Sequence, residues 1–326
     1  MARFFGPDEI DSALIKGSSV AVLGYGNQGR AQALNLRDSG VPVTVGAREG
    51  AGAGRARQDG FDVLAISEAT ASARFVVMAL PDLDMGAIFS AAICPALQPG
   101  AVLVFVHGFA LRYGLVRPPS TVDVVLVGPK GAGAKLREEY EQGRGLACLI
   151  AVHQDVSGQA LSLALAYAWG LGCARSAILE TSVAEETETD LFGEQAVLCG
   201  GIPSLIEAAF DRLVAAGYQP EVAYFECLHE AKLITDLIYS RGLAGMRQAI
   251  SETALWGGLA AGPKVVNEAS LSEMDDLLAR IRDGRFAEGW KAEKAAGAPN
   301  LAEALAGRSG RLIEEVGADL RRRMGL

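Results

Sequence analysis

The chain has 326 residues, half of them hydrophobic and about a fifth charged, which fits two globular domains that need no covalent staples. Thirty basic residues against 39 acidic ones give a net charge of −9. The one basic run, Arg321 to Arg323, reads as a solvated helix end, which argues against nucleic acid as a partner. The five cysteines, Cys94, Cys148, Cys173, Cys199 and Cys227, are odd in number and contain no CxxC pair, so they read as reduced thiols rather than a zinc or redox motif. Met1 to Ile10 has no signal-like apolar core and no apolar run reaches membrane-spanning length; the expectation is a soluble, cytoplasmic protein with no membrane partner.

In chain order, six continuous apolar or β-branched runs come first: Val20–Leu23, Val41–Val45, Phe75–Leu80, Ala101–Val106, Val122–Val127 and Leu146–Val152. Such runs mark strands buried on both faces, and the gaps between them hold crossover helices. The predicted first domain, residues 1–182, is therefore a Rossmann-type, doubly wound parallel sheet. Directly after the first strand stands Gly24-Tyr25-Gly26-Asn27-Gln28-Gly29, a G-x-G-x-x-G turn opening a helix. Its glycines allow a tight turn and close approach of a pyrophosphate to the helix N-terminus. The second strand is followed by Arg48, with Arg55 and Arg57 beyond, where an NAD enzyme commonly carries Asp or Glu. Arginine there pairs with a 2′-phosphate, so the predicted cofactor is NADPH. A solvated basic loop is the alternative. Further on, His107 and Lys130 each follow a strand, at the carboxyl edge where ligands bind. An edge histidine and a surface lysine without chemistry are their alternatives.

After about Thr181 strand-like runs stop and apolar residues recur at helical spacing. Residues 183–326 are predicted to form an all-helical domain, punctuated by Gly200–Gly201 and Gly257–Gly258, with a tail after Asn267 that offers no chemistry. Asp190 and Glu194 lie four residues apart, as do Glu226 and Glu230. On a helix each pair shares a face, and two such pairs make a cage of carboxylate oxygens. Oxygen-only donors suit Mg²⁺ or Mn²⁺, and four carboxylates can hold two ions. A solvated acidic helix face is the alternative. His229 and Cys227 point to other faces, so a zinc site is not expected. Apolar Leu228, Leu233, Leu237, Ile238, Leu243 and Met246 are too many for a short hairpin to bury, which predicts a subunit interface.

Taken together, Glu185–Gly201 (EETETDLFGEQAVLCGG), Gly217–Glu230 (GYQPEVAYFECLHE) and Gly242–Ala254 (GLAGMRQAISETA) closely resemble ketol-acid reductoisomerase in its short, class I form, and the resemblance runs from about Lys16 to Val266. It implies an oxidoreductase of branched-chain amino-acid biosynthesis. The reaction implied is a Mg²⁺-dependent alkyl shift on 2-acetolactate or 2-aceto-2-hydroxybutyrate, followed by NADPH reduction to the 2,3-dihydroxy acid. By resemblance, Asp190, Glu194, Glu226 and Glu230 are metal ligands for two ions. His107, Lys130, Glu230 and Ser251 are catalytic, and Ile250, Ser251 and Ala254 meet substrate. Gly24 to Gly29, Arg48, His107 and Gly133 are cofactor contacts. The resemblance also implies a knotted helical domain and a homodimer, or higher homo-oligomer, with active sites shared between subunits. The chain departs from the family pattern at Asn27, Arg30, Ala51, Ala53, Ala110, Leu111, and Gly128 to Ala134, and its tail after residue 267 matches poorly. A specialised enzyme with the same chemistry on a related 2-keto or 2-hydroxy acid, a simple hydroxyacid dehydrogenase, and a non-catalytic cofactor-binding scaffold remain alternatives.

Overall fold

The computed structural model describes residues 2–325. Its backbone divides into two compact units, Met1–Thr189 and Asp190–Leu326. Among the described residues no helix is long and apolar enough to cross a membrane.

The first unit is built on nine strands: β1 (Phe4–Phe5), β2 (Val20–Leu23), β3 (Val43–Gly46), β4 (Val63–Leu64), β5 (Phe75–Met78), β6 (Val102–Phe105), β7 (Asp123–Pro129), β8 (Cys148–Gln154) and β9 (Ile178–Glu180). They form one sheet in the order β1-β9-β8-β7-β6-β5-β2-β3-β4. All six expected strands are present. The other three, β1, β4 and β9, have two or three residues each, too few to show a pattern in sequence. Six of the pairings are parallel; β8 runs against β7, and β1 against β9.

The apolar runs are continuous because each strand feeds two cores. Val20, Val22, Phe75, Val77, Val102 and Val104 enter the core on one face. Their alternate neighbours Ala21, Leu23, Val76, Met78, Leu103 and Phe105 enter the core on the other. Each large side chain so buried contributes roughly 1.5–3 kcal/mol, which is why the sheet centre tolerates no polar residue. The strand order reverses between the parallel neighbours β2 and β5: β2 leads to β3 on one side, and β5 leads to β6 on the other. Ligands bind outside the carboxyl ends of strands at such a switch point.

The second unit contains helices and no described strand. Its core is small: Phe210, Ala223, Tyr224, Ile313 and Leu320. The tail takes part in it. A Cβ on Gly317 would stand 2.6 Å from the Tyr224 ring, so glycine there admits the ring. Arg311 binds Glu207 and Asp211, both at 2.5 Å, and pins the last helix to Gly201–Ala215. Arg321 donates to the Tyr224 hydroxyl at 3.0 Å. Arg321 to Arg323 are exposed in the last turn of that helix, as their reading as a solvated helix end expects, and Arg321 adds this one tether. The sequence hides this because the partner lies almost a hundred positions away.

Two helical stretches of this unit widen into π turns, Glu194–Leu198 and Phe225–His229. In the first, the Cys199 N–H reaches the Glu194 carbonyl, five residues back, at 2.8 Å. A Cβ on Gly200 would stand 2.0 Å from the Gln195 carbonyl oxygen, and one on Gly201 2.2 Å from that of Ala196. The glycine pair is the condition for this turn. All five cysteines are free thiols, with Cys148 and Cys173 buried and Cys199 exposed. The Cys173 thiol beside it, together with burial, pushes the Cys148 thiol up.

Candidate active site

At the switch point, Gly24 takes a φ of +92°, and a Cβ there would stand 2.4 Å from the Ala79 carbonyl oxygen. A Cβ on Gly29 would meet the Gly24 carbonyl oxygen at 2.3 Å. These two glycines serve the turn and the packing of helix Asn27–Asp38. A Cβ on Gly26 would meet nothing within 4 Å, so that glycine faces open space. The helix has no side-chain cap and no acidic residue in its first turn, leaving its N–H groups for an anion. The turn thus fits a dinucleotide pyrophosphate.

Gln28 and Tyr25 hold the turn from behind. Gln28 Nε2 donates to the Gly131 carbonyl at 2.9 Å, and Gly133 comes so close to Asn27 that a Cβ would stand 2.1 Å from its carbonyl oxygen. Tyr25 is buried and donates to Asp59 at 2.8 Å, where Arg30 also binds with two hydrogen bonds of 2.7 and 3.0 Å. Burial first, then the Asp59 hydrogen bond, raises the Tyr25 phenol. The Arg30 guanidinium holds the Asp59 carboxyl below its usual range.

In front of the turn lies a cavity of about 440 Å³ bordered by Tyr25, Gly26, Arg48, Glu49, Ala53 and Arg55. Beyond Arg48 it meets an apolar slot of about 590 Å³ floored by Val63, Ile66, Ile88 and Ala92. The slot suits an adenine ring. Glu49, next to Arg48, is engaged by both terminal nitrogens of Arg57.

His107 follows β6. Its Nδ1 accepts from the Phe109 N–H at 3.3 Å, so the neutral ring carries its proton on Nε2. Lys130 follows β7 and binds Glu186 Oε1 at 2.7 Å. The second oxygen of Glu186 accepts from the Gly108 N–H at 3.3 Å. Glu186 is 1% exposed, and possible ligand atoms of His107 and Glu186 lie within 4.8 Å of one another. Two glycines make its niche: a Cβ on Gly128 would press the Glu186 carboxylate at 2.9 Å, and one on Gly108 would stand 2.0 Å from Thr187 Oγ1. Asp82, at the start of the helix after β5, is also mostly buried. Burial first, and Glu186 with it, raises its carboxyl, while His107 opposes the shift.

Sequence reading passed over Glu186. The signal was present: Glu186, Asp190 and Glu194 recur at intervals of four. Removing one partner of a buried ion pair strands the other. Glu186→Gln is therefore expected to cost about 3 kcal/mol of stability. Lys130→Met combined with it should cost less than the sum of the two single changes. Urea unfolding of the four proteins measures this, and strict additivity would show that the pair does not couple.

In the second unit, Asp190 and Glu194 stand one turn apart, Glu226 lies within the second π turn and Glu230 directly follows it. Glu194, Glu226 and Glu230 are exposed. Among the described residues, no three metal-ligating side chains drawn from this unit alone lie within 4.8 Å of one another. One copy therefore does not bring the two carboxylate pairs into one cage. The donor set nevertheless fits a hard divalent ion, being oxygen throughout. Ser251 caps helix Glu252–Val265 by accepting from the Ala254 N–H at 3.2 Å, which keeps its hydroxyl proton available to donate. Ile250 and Ala254 flank it in sequence. Large apolar side chains stand out in water here, including Tyr239 at 94% and Trp256 at 76% exposure.

Residues 14–177 match the family model described as acetohydroxy acid isomeroreductase, NADPH-binding domain. Residues 183–325 match that described as ketol-acid reductoisomerase, C-terminal domain. An NADH-preferring ketol-acid reductoisomerase from an uncultured archean is similar in structure, with a TM-score of 0.95 and 38% identity over 98% of each chain. A semialdehyde dehydrogenase NAD-binding protein from Cupriavidus necator shares the fold at TM-score 0.64 and 18% identity, over 82% of this chain and 99% of that one. So does a Plasmodium falciparum pyrroline carboxylate reductase, at TM-score 0.53 and 13% identity, over 82% of this chain and 98% of that one.

Proposed function

Because the chain belongs to the ketol-acid reductoisomerase family, whose enzymes convert acetohydroxy acids in branched-chain amino-acid biosynthesis with a nicotinamide cofactor, we propose a specific division of labour among its residues. Residues 1–182 bind the cofactor, and residues 183–326 supply the metal and substrate groups and the dimer contacts. The observation that carries this reading is the all-oxygen donor set, Asp190, Glu194, Glu226 and Glu230, on two helical stretches that each widen at the carboxylates.

Two Mg²⁺ ions, when bound, supply positive charge that polarises the ketone and hydroxyl of 2-acetolactate or 2-aceto-2-hydroxybutyrate. The chain's own groups orient the substrate and move its protons. Ser251 donates its hydroxyl proton to the substrate, with Ile250 and Ala254 walling the pocket. During the alkyl shift the 2-hydroxyl loses a proton and the former ketone oxygen gains one. Glu230 takes the first as general base, and the Lys130 ammonium, held in place by Glu186, stands ready to return one. Hydride from the cofactor and a proton from solvent then complete the 2,3-dihydroxy acid. His107, at the edge of the sheet with its Nε2 protonated, orients the nicotinamide end. Asp190 and Glu194 of one copy meet Glu226, Glu230 and Ser251 of a second. Bare Leu233, Tyr239, Leu243 and Trp256 support such an assembly, because a monomer gains nothing by wetting them. The test is cofactor oxidation with and without Mg²⁺ on the two acetohydroxy acids and on 3-hydroxypyruvate-like 2-keto acids. Turnover of the last alone would reject the substrate assignment.

For the cofactor we read NADPH over NADH, by a modest margin. Arg48 stands where the 2′-phosphate comes, but Ala51 and Ala53 add no hydroxyl. Glu49 is the residue that would favour the free ribose diol of NADH, and Arg57 occupies its carboxylate. The expected result is a higher kcat/KM with NADPH in the wild type, and a roughly tenfold loss for NADPH alone in Arg48→Ala. Equal efficiencies in the wild type, or an Arg48→Ala enzyme with undiminished NADPH efficiency, would reject the preference.

A further inference from the structure

Four arginines border the cavities around the glycine turn, a fifth, Arg57, holds Glu49 at their rim, and their engagements differ. Arg30 is held by Asp59, Arg57 by Glu49, and Arg137 by Asp38 and Glu141. Among the described residues Arg48 and Arg55 make no ion pair or side-chain hydrogen bond, and both are exposed. They stand on different sides of the cofactor cleft. Arg48 borders the cavity in front of the turn and the apolar slot beyond it. Arg55 borders that same front cavity and a second, smaller one of about 130 Å³ behind the turn. Gly26 is the other residue common to those two cavities, and it caps the helix whose N-terminus receives a pyrophosphate.

The path from Arg55 to Gly26 is clear for a simple reason. Arg55 lies in the helix Ala51–Gln58. Side chains on a helix lean toward its N-terminus, over the residues three and four positions earlier. For Arg55 those are Ala51 and Gly52. Neither carries bulk, and a Cβ on Gly52 would lie 3.6 Å from the Tyr25 carbonyl oxygen, in line with the turn. The small 130 Å³ cavity also takes in Gly133 at the start of helix Gly133–Glu141, so two helix N-termini and an unpaired guanidinium border one space. Each favours negative charge there.

We propose that Arg55 grips the cofactor's pyrophosphate, in contrast to Arg48, which meets the 2′-phosphate. This rests on the assignment of the cleft to a nicotinamide dinucleotide. It separates two functions that the sequence presents as one basic run. Arg55 strengthens NADH and NADPH binding alike, since both carry the pyrophosphate, whereas Arg48 discriminates between them.

The test is calorimetric titration of the whole protein with NAD⁺ and with NADP⁺, without substrate or turnover, for the wild type, Arg55→Gln, Arg55→Lys and Arg48→Gln. Arg55→Gln is expected to weaken both dinucleotides by the same factor, about tenfold, the lower range for a hydrogen bond to a charged group. Arg55→Lys should recover part of that loss, and added salt should shrink the difference between wild type and Arg55→Gln. Arg55→Gln affecting NADP⁺ alone would make Arg55 a second 2′-phosphate ligand and overturn the proposal, as would undiminished binding of both. Arg48→Gln reports separately: if it leaves the NADP⁺ to NAD⁺ affinity ratio unchanged, the 2′-phosphate assignment falls while the Arg55 result stands.

Discussion

Asp190→Asn and Glu194→Gln are each expected to lower turnover at least about a hundredfold, the effect of losing charge stabilisation in a transition state. Each change keeps the side chain's size and removes one negative charge. Neither position is buried, so the fold should survive. Binding of NAD(P)⁺ should survive too, because it uses the glycine turn and not the helical unit. What should change is the Mg²⁺ concentration at half-maximal rate, which rises as a ligand is lost. Rates across a Mg²⁺ titration, with dinucleotide affinity as the control, decide the matter. A variant fully active in EDTA would remove the metal from the reaction.

The other large effect concerns assembly. Within one copy the two carboxylate pairs do not form one ligand group, yet each pair is intact. Asp190→Ala and Glu226→Ala proteins, each inactive alone, would be co-expressed with different tags and the mixed dimer purified. If sites are shared, one site of the heterodimer carries both lesions and the other carries none. Activity should then return to about half of wild type per dimer, by the two-fold symmetry of the assembly. If each chain owns a complete site, the mixed dimer stays inactive. A folded but inactive heterodimer would reject sharing without touching the ligand assignment.

The sheet was legible because burial on both faces leaves an unmistakable run, as in Val102–Phe105. The short edge strands were not, since Phe4–Phe5 borrows its conformation from pairing with β9 and not from its own pattern. In the site, Gly24 to Gly29 announced itself through its place between strand and helix. Glu186 was missed because its meaning lies in Lys130, 56 positions earlier, and in the glycines that clear its niche. The contacts of Arg311 and Arg321 were invisible for the same reason: an ion pair or a hydrogen bond across about a hundred residues leaves no local trace. The Gly200–Gly201 pair was read as helix punctuation. A turn at Cys199 and Gly200 does separate Glu194–Leu198 from Gly201–Ala215, and the pair also makes room for the widening before it.

That widening puts each carboxylate helix out of phase with itself. An α-helix advances about 100° per residue, so one extra residue in a single turn rotates everything downstream by about that amount. The Gly201–Ala215 helix, with Phe210 aimed at its core, therefore keeps its bearing only while the surplus residue in Glu194–Leu198 is retained. Losing one residue after Glu194 would leave Asp190 and Glu194 in place and turn Phe210 outward. In this chain, length between the acidic pairs and the core is as strictly specified as the acids themselves, and single-residue deletions should be far less tolerated there than substitutions.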